Sequence, residues 1–334
     1  MGSESTSASG TDGVLSAHQI AQFHRDGYLL LPSFFDPTAL LEHSKHLIST
    51  FPLENHPLTA FTTSSDAEGE EAHVGDRYFL ESGSRIHYFF EENAVDPTTK
   101  QLLVPKSNAI NKCGHGLHIL DPLFKEFSFS TKLQNVANSL DIHKDPRVLQ
   151  SMIICKQPSI GGAVPSHNDS TFLYTDPPSA IGFWFALEDC TVENGCLSFL
   201  AGSHRWPKGS NPKEAKSSRP KDAHNEPLGV ARGVNKRFVR REPRNPDAGT
   251  TFHHLEQEEE AEWDEQKAEI AECKAGTLVL IHGSVLHKSE KNTSNKSRFI
   301  YTFHMIEGDP SRAEYDERNW LQPEAGQEFP KLFG

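Results

Sequence analysis

A histidine and an aspartate lie two positions apart in the segment VPSHNDSTFLYT, residues 164–175, as His167 and Asp169. In an extended backbone, residues i and i+2 point to the same side, so an imidazole and a carboxylate can be directed at one point. A metal ion is the ligand that suits this pair best. One His-x-Asp pair is weak evidence by itself, because histidine and aspartate also form ordinary hydrogen bonds at strand ends.

A second segment, GTLVLIHGSVLHKSEKNTSNKSRFIYTF at residues 276–303, offers a third ligand and an arginine. An apolar run leads into His287, and further on a second apolar run opens with Arg298. Two histidines and one carboxylate with open positions form the facial triad of non-haem Fe(II) oxygenases. The arginine fork can hold a dicarboxylate through two charge-assisted hydrogen bonds, which a bare zinc hydrolase would not need.

The elements that position these residues are expected to be short strands, because the chain beyond residue 148 consists of apolar runs separated by Gly, Pro, Asn and Asp. We predict strands near 149–156, 169–174, 180–188, 196–200, 277–282 and 297–306. Strands that neighbour each other in a jelly roll are often distant in sequence, so His287 and His167 can meet in such a fold.

Helices are predicted in the N-terminal third of the chain. The segment SAHQIAQFHRDG indicates a helix with Ser16 as N-cap, Gln19 as its capping-box partner and Gly27 as its end. YLLLPSFF then reads as a short strand, PTALLEHSKHLISTF as a second helix, and 122–140 as a third. We therefore predict a mainly β fold with flanking α-helices: a double-stranded β-helix (jelly-roll or cupin-like) core with N-terminal helices packed outside it.

The domain organisation is predicted to be simple. Residues 1–13 read as a flexible N-terminal tail, and 14–334 as a single domain with a long insertion at about 205–272. Within that insertion, the Pro- and Lys/Arg-rich stretch 205–249 has little periodicity, which is typical of a functional loop beside a site or of disorder. The acidic run EQEEEAEWDEQ is expected to be a solvated face.

Composition limits the partners and the compartment. A net charge of -13 disfavours nucleic acid and anionic membranes as partners, which leaves a small-molecule substrate as the expected partner. Five scattered cysteines without C-x-x-C spacing argue against a disulfide framework and a cysteine zinc site. The chain shows neither a signal-peptide core nor a membrane-length apolar run, so the cytoplasm is expected. The oligomeric state, monomer or dimer, stays open.

The sequence also resembles a known family. QSMIICKQPSIGGAVPSHNDSTFLYTDP, GFWFALEDCTVENGCLSFLAGSH and GTLVLIHGSVLHKS, followed by Ser-Arg, are similar to motifs of the phytanoyl-CoA dioxygenase family of Fe(II)/2-oxoglutarate oxygenases. The likeness extends over nearly all of the chain. It implies Fe(II) bound by His167, Asp169 and His287, with 2-oxoglutarate and O2 as cosubstrates. It also implies that Arg298 binds the C5 carboxylate of 2-oxoglutarate, to which Ser289 could donate a hydroxyl.

Three more residues match positions that line the cosubstrate pocket in the relatives. They are Lys112 in AINKCGHGLH, Met152 before the first ligand, and Trp184 in GFWFAL. Without the resemblance, Trp184 reads equally well as sandwich core, Met152 as a gap-filler and Lys112 as a surface charge.

The remaining histidines favour structural roles. His282 is expected to be a packed or exposed strand residue. For His204 and His115 a structural hydrogen bond is favoured over the alternative that they support a metal ligand or face the substrate. The pair His253 and His254 is expected at the surface of a loop.

The implied reaction is hydroxylation of a C–H bond with release of succinate and CO2. Asp169 favours hydroxylation over halogenation, because a halogenase on this scaffold needs the coordination position that a carboxylate fills. Two other classes stay open: a non-catalytic jelly-roll protein that binds a metal or ligand, and a zinc-dependent hydrolase. The substrate, including whether it is a CoA thioester, and the choice between hydroxylation and desaturation also stay open.

Overall fold

The structure is a computed structural model, and it describes residues 12–54, 56–58, 76–96, 98–205, 236–255 and 263–333. Most of the predicted tail, residues 1–11, lies outside the described residues. The same holds for 206–235 and 256–262 of the predicted insertion.

The first helix and strand form as the sequence predicts. Helix α1 spans Ala17–Asp26, and its capping box is present: Ser16 Oγ accepts from the Gln19 backbone, and Gln19 Oε1 accepts from the Ser16 backbone at 2.8 Å. Gly27 ends the helix in the left-handed region, with φ at 82°, where glycine has no steric penalty. Strand β1, Tyr28–Leu31, follows directly.

All but one of the remaining α-helices in the described part of the chain bury side chains in the same apolar cluster, and the exception is the short helix Arg77–Leu80. Helix α2 spans Thr38–Thr50 and buries Leu40, Ser44 and Ile48, which lie on one side of the helix. The prediction of one helix over 122–140 is wrong, because Ser130 adopts an extended backbone and separates two helices. Helices α3 to α6 are Arg77–Leu80, Leu117–Leu120, Pro122–Ser128 and Thr131–Leu140.

Two antiparallel sheets form the core. The major sheet has the strand order β1-β11-β6-β13-β4-β3-β2, and the minor sheet has the order β10-β7-β12-β5. The strands after β1 are β2 Ile86–Phe90, β3 Ile110–His115, β4 Pro146–Lys156, β5 Val164–His167, β6 Ile181–Ala186, β7 Leu197–Phe199, β8 Lys236–Arg240, β9 Thr250–His254, β10 Glu269–Ala271, β11 Leu278–His282, β12 His287–Ser289 and β13 Arg298–Glu307.

The major sheet is buried on both faces. Its inner face packs against the minor sheet, as shown by the stacked rings of Tyr28 on β1 and Phe199 on β7, whose centroids are 4.1 Å apart. Its outer face is covered by the helices, where Phe124 of α5 lies 4.5 Å from the ring of Tyr301 on β13. The sheets do not close into a barrel, and this arrangement is the predicted jelly-roll core with helices outside.

Two strand-level predictions are wrong. A strand was expected over 169–174, but Asp169–Thr171 form a short 3₁₀-helix, because the side chain of Asn168 caps the backbone N–H of Thr171 at 3.1 Å. The stretch 205–249 was expected to lack regular structure, but β8 lies within it and pairs with β9 as a two-stranded ribbon. Among the described residues, no helix has the length and apolarity to cross a bilayer.

Candidate active site

The two predicted histidine ligands lie side by side on neighbouring strands of the minor sheet. His167 is the last residue of β5 and His287 the first of β12, and the two are directly opposite each other in the strand register. Their ring centroids are 4.2 Å apart. In each ring, Nδ1 donates to a backbone carbonyl two residues earlier, Pro165 at 2.8 Å and Val285 at 3.1 Å. Because Nδ1 carries the proton, Nε2 of both rings presents a lone pair to the site.

Asp169 completes the cluster. Asn168 is extended, so the carboxylate returns to the side of His167 although the strand has already ended. Asp169 Oδ1 lies 3.7 Å from Nε2 of His167 and 3.7 Å from Nε2 of His287. One donor atom of each residue lies within 4.8 Å of the other two, and these residues form the metal-binding group found in the described part of the chain. Donors at this spacing can surround a single ion at bond lengths of about 2.0–2.2 Å.

The protonation states suit metal binding. Burial lowers the pKa of His287 to about 4, so its imidazole is neutral at pH 7 and available as a ligand. Burial acts to raise the pKa of Asp169, but the positive charge that His304 and His287 can carry outweighs it and holds the pKa well below its ordinary value. His287 therefore offers a neutral nitrogen and Asp169 a carboxylate.

His304 is a site residue that the sequence analysis missed. Its Nε2 lies 3.2 Å from Asp169 Oδ2, and the residue is buried on β13. A usable signal was present: His304 lies at an even spacing from Arg298 on the same strand, so both side chains point to the inner face. The continuous apolar character of β13 concealed this alternation.

Arg298, the predicted carboxylate-binding residue, is 2% exposed at the start of β13. One Nη atom donates to the carbonyl of Gly195, and the guanidinium lies 5.6 Å from the centroid of the Trp184 ring. Nε has no hydrogen-bond partner. Burial lowers the pKa of Arg298, and the neighbouring groups that most affect it are cysteine thiols rather than carboxylates. A guanidinium nevertheless stays charged in proteins, so Arg298 is a buried cation with an unused donor.

The strand register places the predicted pocket residues on the same inner face as Arg298. Met152 on β4 and Trp184 on β6 are both directly opposite Thr302 of β13, which shares a face with Arg298. Lys112 on β3 is opposite Ile154, the residue beside Met152 on that face. All three are buried, so the alternative of Lys112 as a surface charge does not apply. Burial lowers the pKa of Lys112 to about 7, although Glu91 opposes the shift.

Ser289 lies on β12, two residues after His287, and is buried. It is opposite Leu197 of β7, which belongs to the core between the sheets. The buried Nζ of Lys156, opposite Arg298 on β4, donates to the Ser289 carbonyl at 3.3 Å and to that of Gly162 at 2.6 Å, and burial together with the charge of Arg298 lowers the pKa of Lys156 to about 6. These contacts fix the end of β12 beside Arg298.

The other histidines lie outside the triad. His282 packs against His204, with ring centroids 4.7 Å apart, and Nε2 of His204 is 3.1 Å from the carbonyl of His24. His115 is buried with Nδ1 at 2.6 Å from Ser82 Oγ. His253 and His254 are exposed on β9.

Comparison with known proteins places the chain in a family. The family model described as "Phytanoyl-CoA dioxygenase (PhyH)" matches residues 23–300. The chain is 39% identical over 316 residues to the phytanoyl-CoA dioxygenase domain-containing protein 1 homolog of Caenorhabditis elegans, covering 93% of this chain and 97% of that protein. It is 37% identical over 323 residues to the phytanoyl-CoA dioxygenase domain-containing protein 1 of Rattus norvegicus, covering 96% of this chain and 99% of that protein.

Solved structures share the fold. EctD from S. alaskensis with 2-oxoglutarate and 5-hydroxyectoine superposes with a TM-score of 0.56 at 17% identity, covering 96% of this chain and 87% of that one. The epimerase SnoN in complex with Fe3+, alpha ketoglutarate and nogalamycin RO superposes with a TM-score of 0.52 at 14% identity. The alignment covers 94% of this chain and 97% of that one. From the family match and the long alignments with its relatives, the chain belongs to the phytanoyl-CoA dioxygenase family of Fe(II)- and 2-oxoglutarate-dependent oxygenases.

Proposed function

We propose that this protein hydroxylates a C–H bond of a small organic substrate, using Fe(II), 2-oxoglutarate and O2 and releasing succinate and CO2. The observation that carries the proposal is the combination of the His167, Asp169 and His287 cluster with a buried, charged Arg298 on the facing sheet. The cluster alone fits several metals. Arg298 favours an Fe(II) oxygenase that uses 2-oxoglutarate, because a carboxylate of this cosubstrate can pair with the buried guanidinium.

The case for an anion at Arg298 is energetic. An isolated charge in a protein interior costs several kcal/mol unless it is paired or well hydrogen-bonded. Within the described residues, no acidic side chain forms an ion pair with Arg298, and its Nε has no partner. A carboxylate of 2-oxoglutarate would supply the missing anion and accept from the free N–H.

The donor set fits Fe(II). Two imidazole nitrogens and one carboxylate oxygen are the facial triad, which leaves the remaining positions of a six-coordinate ion open. When bound, iron together with 2-oxoglutarate and O2 supplies the oxidising chemistry, and the protein supplies orientation and a dry site. We assign His167, Asp169 and His287 as ligands and Arg298 with Ser289 as the C5-carboxylate partners.

The pocket residues hold and shield the cosubstrate. Trp184 and Met152 place an apolar surface on the inner face beside Arg298, which excludes water and strengthens the guanidinium–carboxylate interaction. We assign Lys112 to the same pocket, where its buried amine faces the cosubstrate. The carboxylate of Asp169 fills the position that a halide would need, which favours hydroxylation over halogenation.

A small-molecule substrate is supported by the structures that share the fold, which were solved with 5-hydroxyectoine or nogalamycin RO. The net charge of -13 argues against nucleic acid as a partner. We place the protein in the cytoplasm, because all five cysteines are free thiols, as expected in a reducing compartment. The single domain from residue 14 with an insertion at about 205–272 remains part of the proposal.

The rival classes predict different products. Purified protein supplied with 2-oxoglutarate and O2 should form succinate with Fe(II) but not with Zn(II), as measured by NMR. Asp169→Ala should form none, while keeping the thermal unfolding midpoint of the wild type within a few degrees. Succinate formation by Asp169→Ala at the wild-type rate would refute the ligand assignment. Absence of succinate with every metal, together with Zn(II)-dependent ester hydrolysis, would support the zinc hydrolase.

A further inference from the structure

We propose that His304 is a positioning residue for Asp169: it binds Oδ2 so that only Oδ1 is presented to the metal. The inference deepens the proposed function and rests on the assignment of Asp169 as a ligand. Its starting point is that the two oxygens of one carboxylate have separate partners. Oδ1 lies 3.7 Å from both ligand imidazoles, whereas Oδ2 lies 3.2 Å from Nε2 of His304.

The strand geometry brings His304 to this point. His304 is on the inner face of β13, opposite Gly182 of β6. A Cβ at position 182 would stand 3.2 Å from His304 Nε2 and 3.4 Å from Asp169 Oδ2. The contact with His304 would be tighter than most Cβ atoms make, so the absence of a side chain at Gly182 leaves the imidazole room beside the carboxylate.

Gln150 contacts the other nitrogen of the His304 ring. Its Nε2 lies 3.4 Å from His304 Nδ1, and the two residues are opposite each other on β4 and β13. When the Gln150 amide donates to Nδ1, a proton on the ring has its place on Nε2. Nε2 can then donate to Asp169 Oδ2, which accepts. Carboxylate–histidine contacts of this kind orient metal ligands and are worth about 10–100-fold in metal affinity.

The consequence concerns the number of open positions. A carboxylate with both oxygens free can bind a metal through two atoms and occupy an additional position. With Oδ2 held by His304, Asp169 would offer the metal one atom, and the three ligand residues together would offer three. The other positions of a six-coordinate ion would then stay available to the cosubstrates.

The test compares His304→Gln with His304→Asn. Both substitutions bury a neutral amide, but only the glutamine amide reaches the place of Nε2 and can donate to Oδ2. The measured quantity is the Kd for Co(II), a redox-stable stand-in for Fe(II), determined by calorimetry on folded protein. We expect His304→Asn to raise this Kd by about 10–100-fold, and His304→Gln to restore most of the affinity.

The matched control is His118→Gln, which removes a buried histidine on α4 at the outer face of the same sheet. Its Kd for Co(II) should stay at the wild-type value. Equal Kd values for wild type, His304→Gln and His304→Asn would overturn the inference and leave the triad intact. Failure of the wild type to bind Co(II) would overturn the ligand assignment, and the inference with it.

Discussion

The two faces of β13 are made by alternating residues of one strand, yet they have opposite chemistry. Phe299, Tyr301, Phe303 and Met305 face the helices and belong to a large apolar core. Arg298, Thr302 and His304 face the minor sheet, with the apolar Ile300 between the first two. Both faces are buried, so exposure does not distinguish them.

The difference shows what burial achieves on each side. On the outer face it removes apolar surface from water and stabilises the fold. On the inner face it desolvates cations and imidazoles, which destabilises the unliganded protein but strengthens every interaction with an incoming ligand. Substitutions on one face are therefore expected to change stability, and substitutions on the other to change binding.

Phe303→Ala should give the largest effect, on stability alone. The Phe303 ring is fully buried and stacks on Phe183 with centroids 4.7 Å apart. Its removal leaves a cavity and should lower the free energy of unfolding by about 3–5 kcal/mol in a denaturant titration. The Kd of the remaining folded protein for 2-oxoglutarate should not change. A tenfold or larger change in that Kd would show that the faces are coupled.

Arg298→Gln should give the next largest effect, on binding alone. Loss of the buried guanidinium should raise the Kd for 2-oxoglutarate roughly 100-fold, equivalent to about 2.7 kcal/mol, measured by calorimetry on Mn(II)-loaded protein. Unfolding without ligand should be unchanged or require more denaturant, because an unpaired buried charge has been removed. Arg318→Gln, which removes a partly exposed arginine paired with Asp316, is the control and should leave the Kd unaltered. An unchanged Kd in Arg298→Gln would exclude the carboxylate role.

His118→Gln should have little effect at pH 7 and should change the pH dependence of stability. Burial lowers the pKa of His118 from 6.5 to about 3. Between those values the unfolded chain binds a proton that the folded protein does not, so this histidine lowers stability as the pH falls, by up to about 1.4 kcal/mol per pH unit. In denaturant titrations from pH 6.5 to 4, the free energy of unfolding should decrease less in His118→Gln than in the wild type. If the free energy of unfolding falls equally steeply with pH in the wild type and in His118→Gln, the lowered pKa of His118 would be refuted.

The ligand set was predictable from the sequence because its chemistry depends on residue type. His167, Asp169, His287 and Arg298 were identified from short motifs, and the structure brings the first three together. The direct pairing of β5 with β12 was not predictable, because these strands have only four and three residues and show no alternation.

Other errors have similar causes. His304 was missed because β13 is buried on both faces, so its polar inner residues are embedded in a continuous apolar run. The strand expected over 169–174 was wrong because the Asn168 side chain competes with strand pairing by capping a turn. The helix expected over 122–140 is interrupted at Ser130. The apolar spacing continues through this position, but the backbone of Ser130 is extended and not helical.

The most direct test of the central claim is an anaerobic titration of the apoprotein with Fe(II) and then 2-oxoglutarate, followed by visible absorption. We expect a weak metal-to-ligand charge-transfer band in the wild type, and no band in Arg298→Gln at the same 2-oxoglutarate concentration. Folded, iron-loaded wild-type protein that shows no band at saturating 2-oxoglutarate would refute the assignment of the metal ligands and of 2-oxoglutarate as cosubstrate.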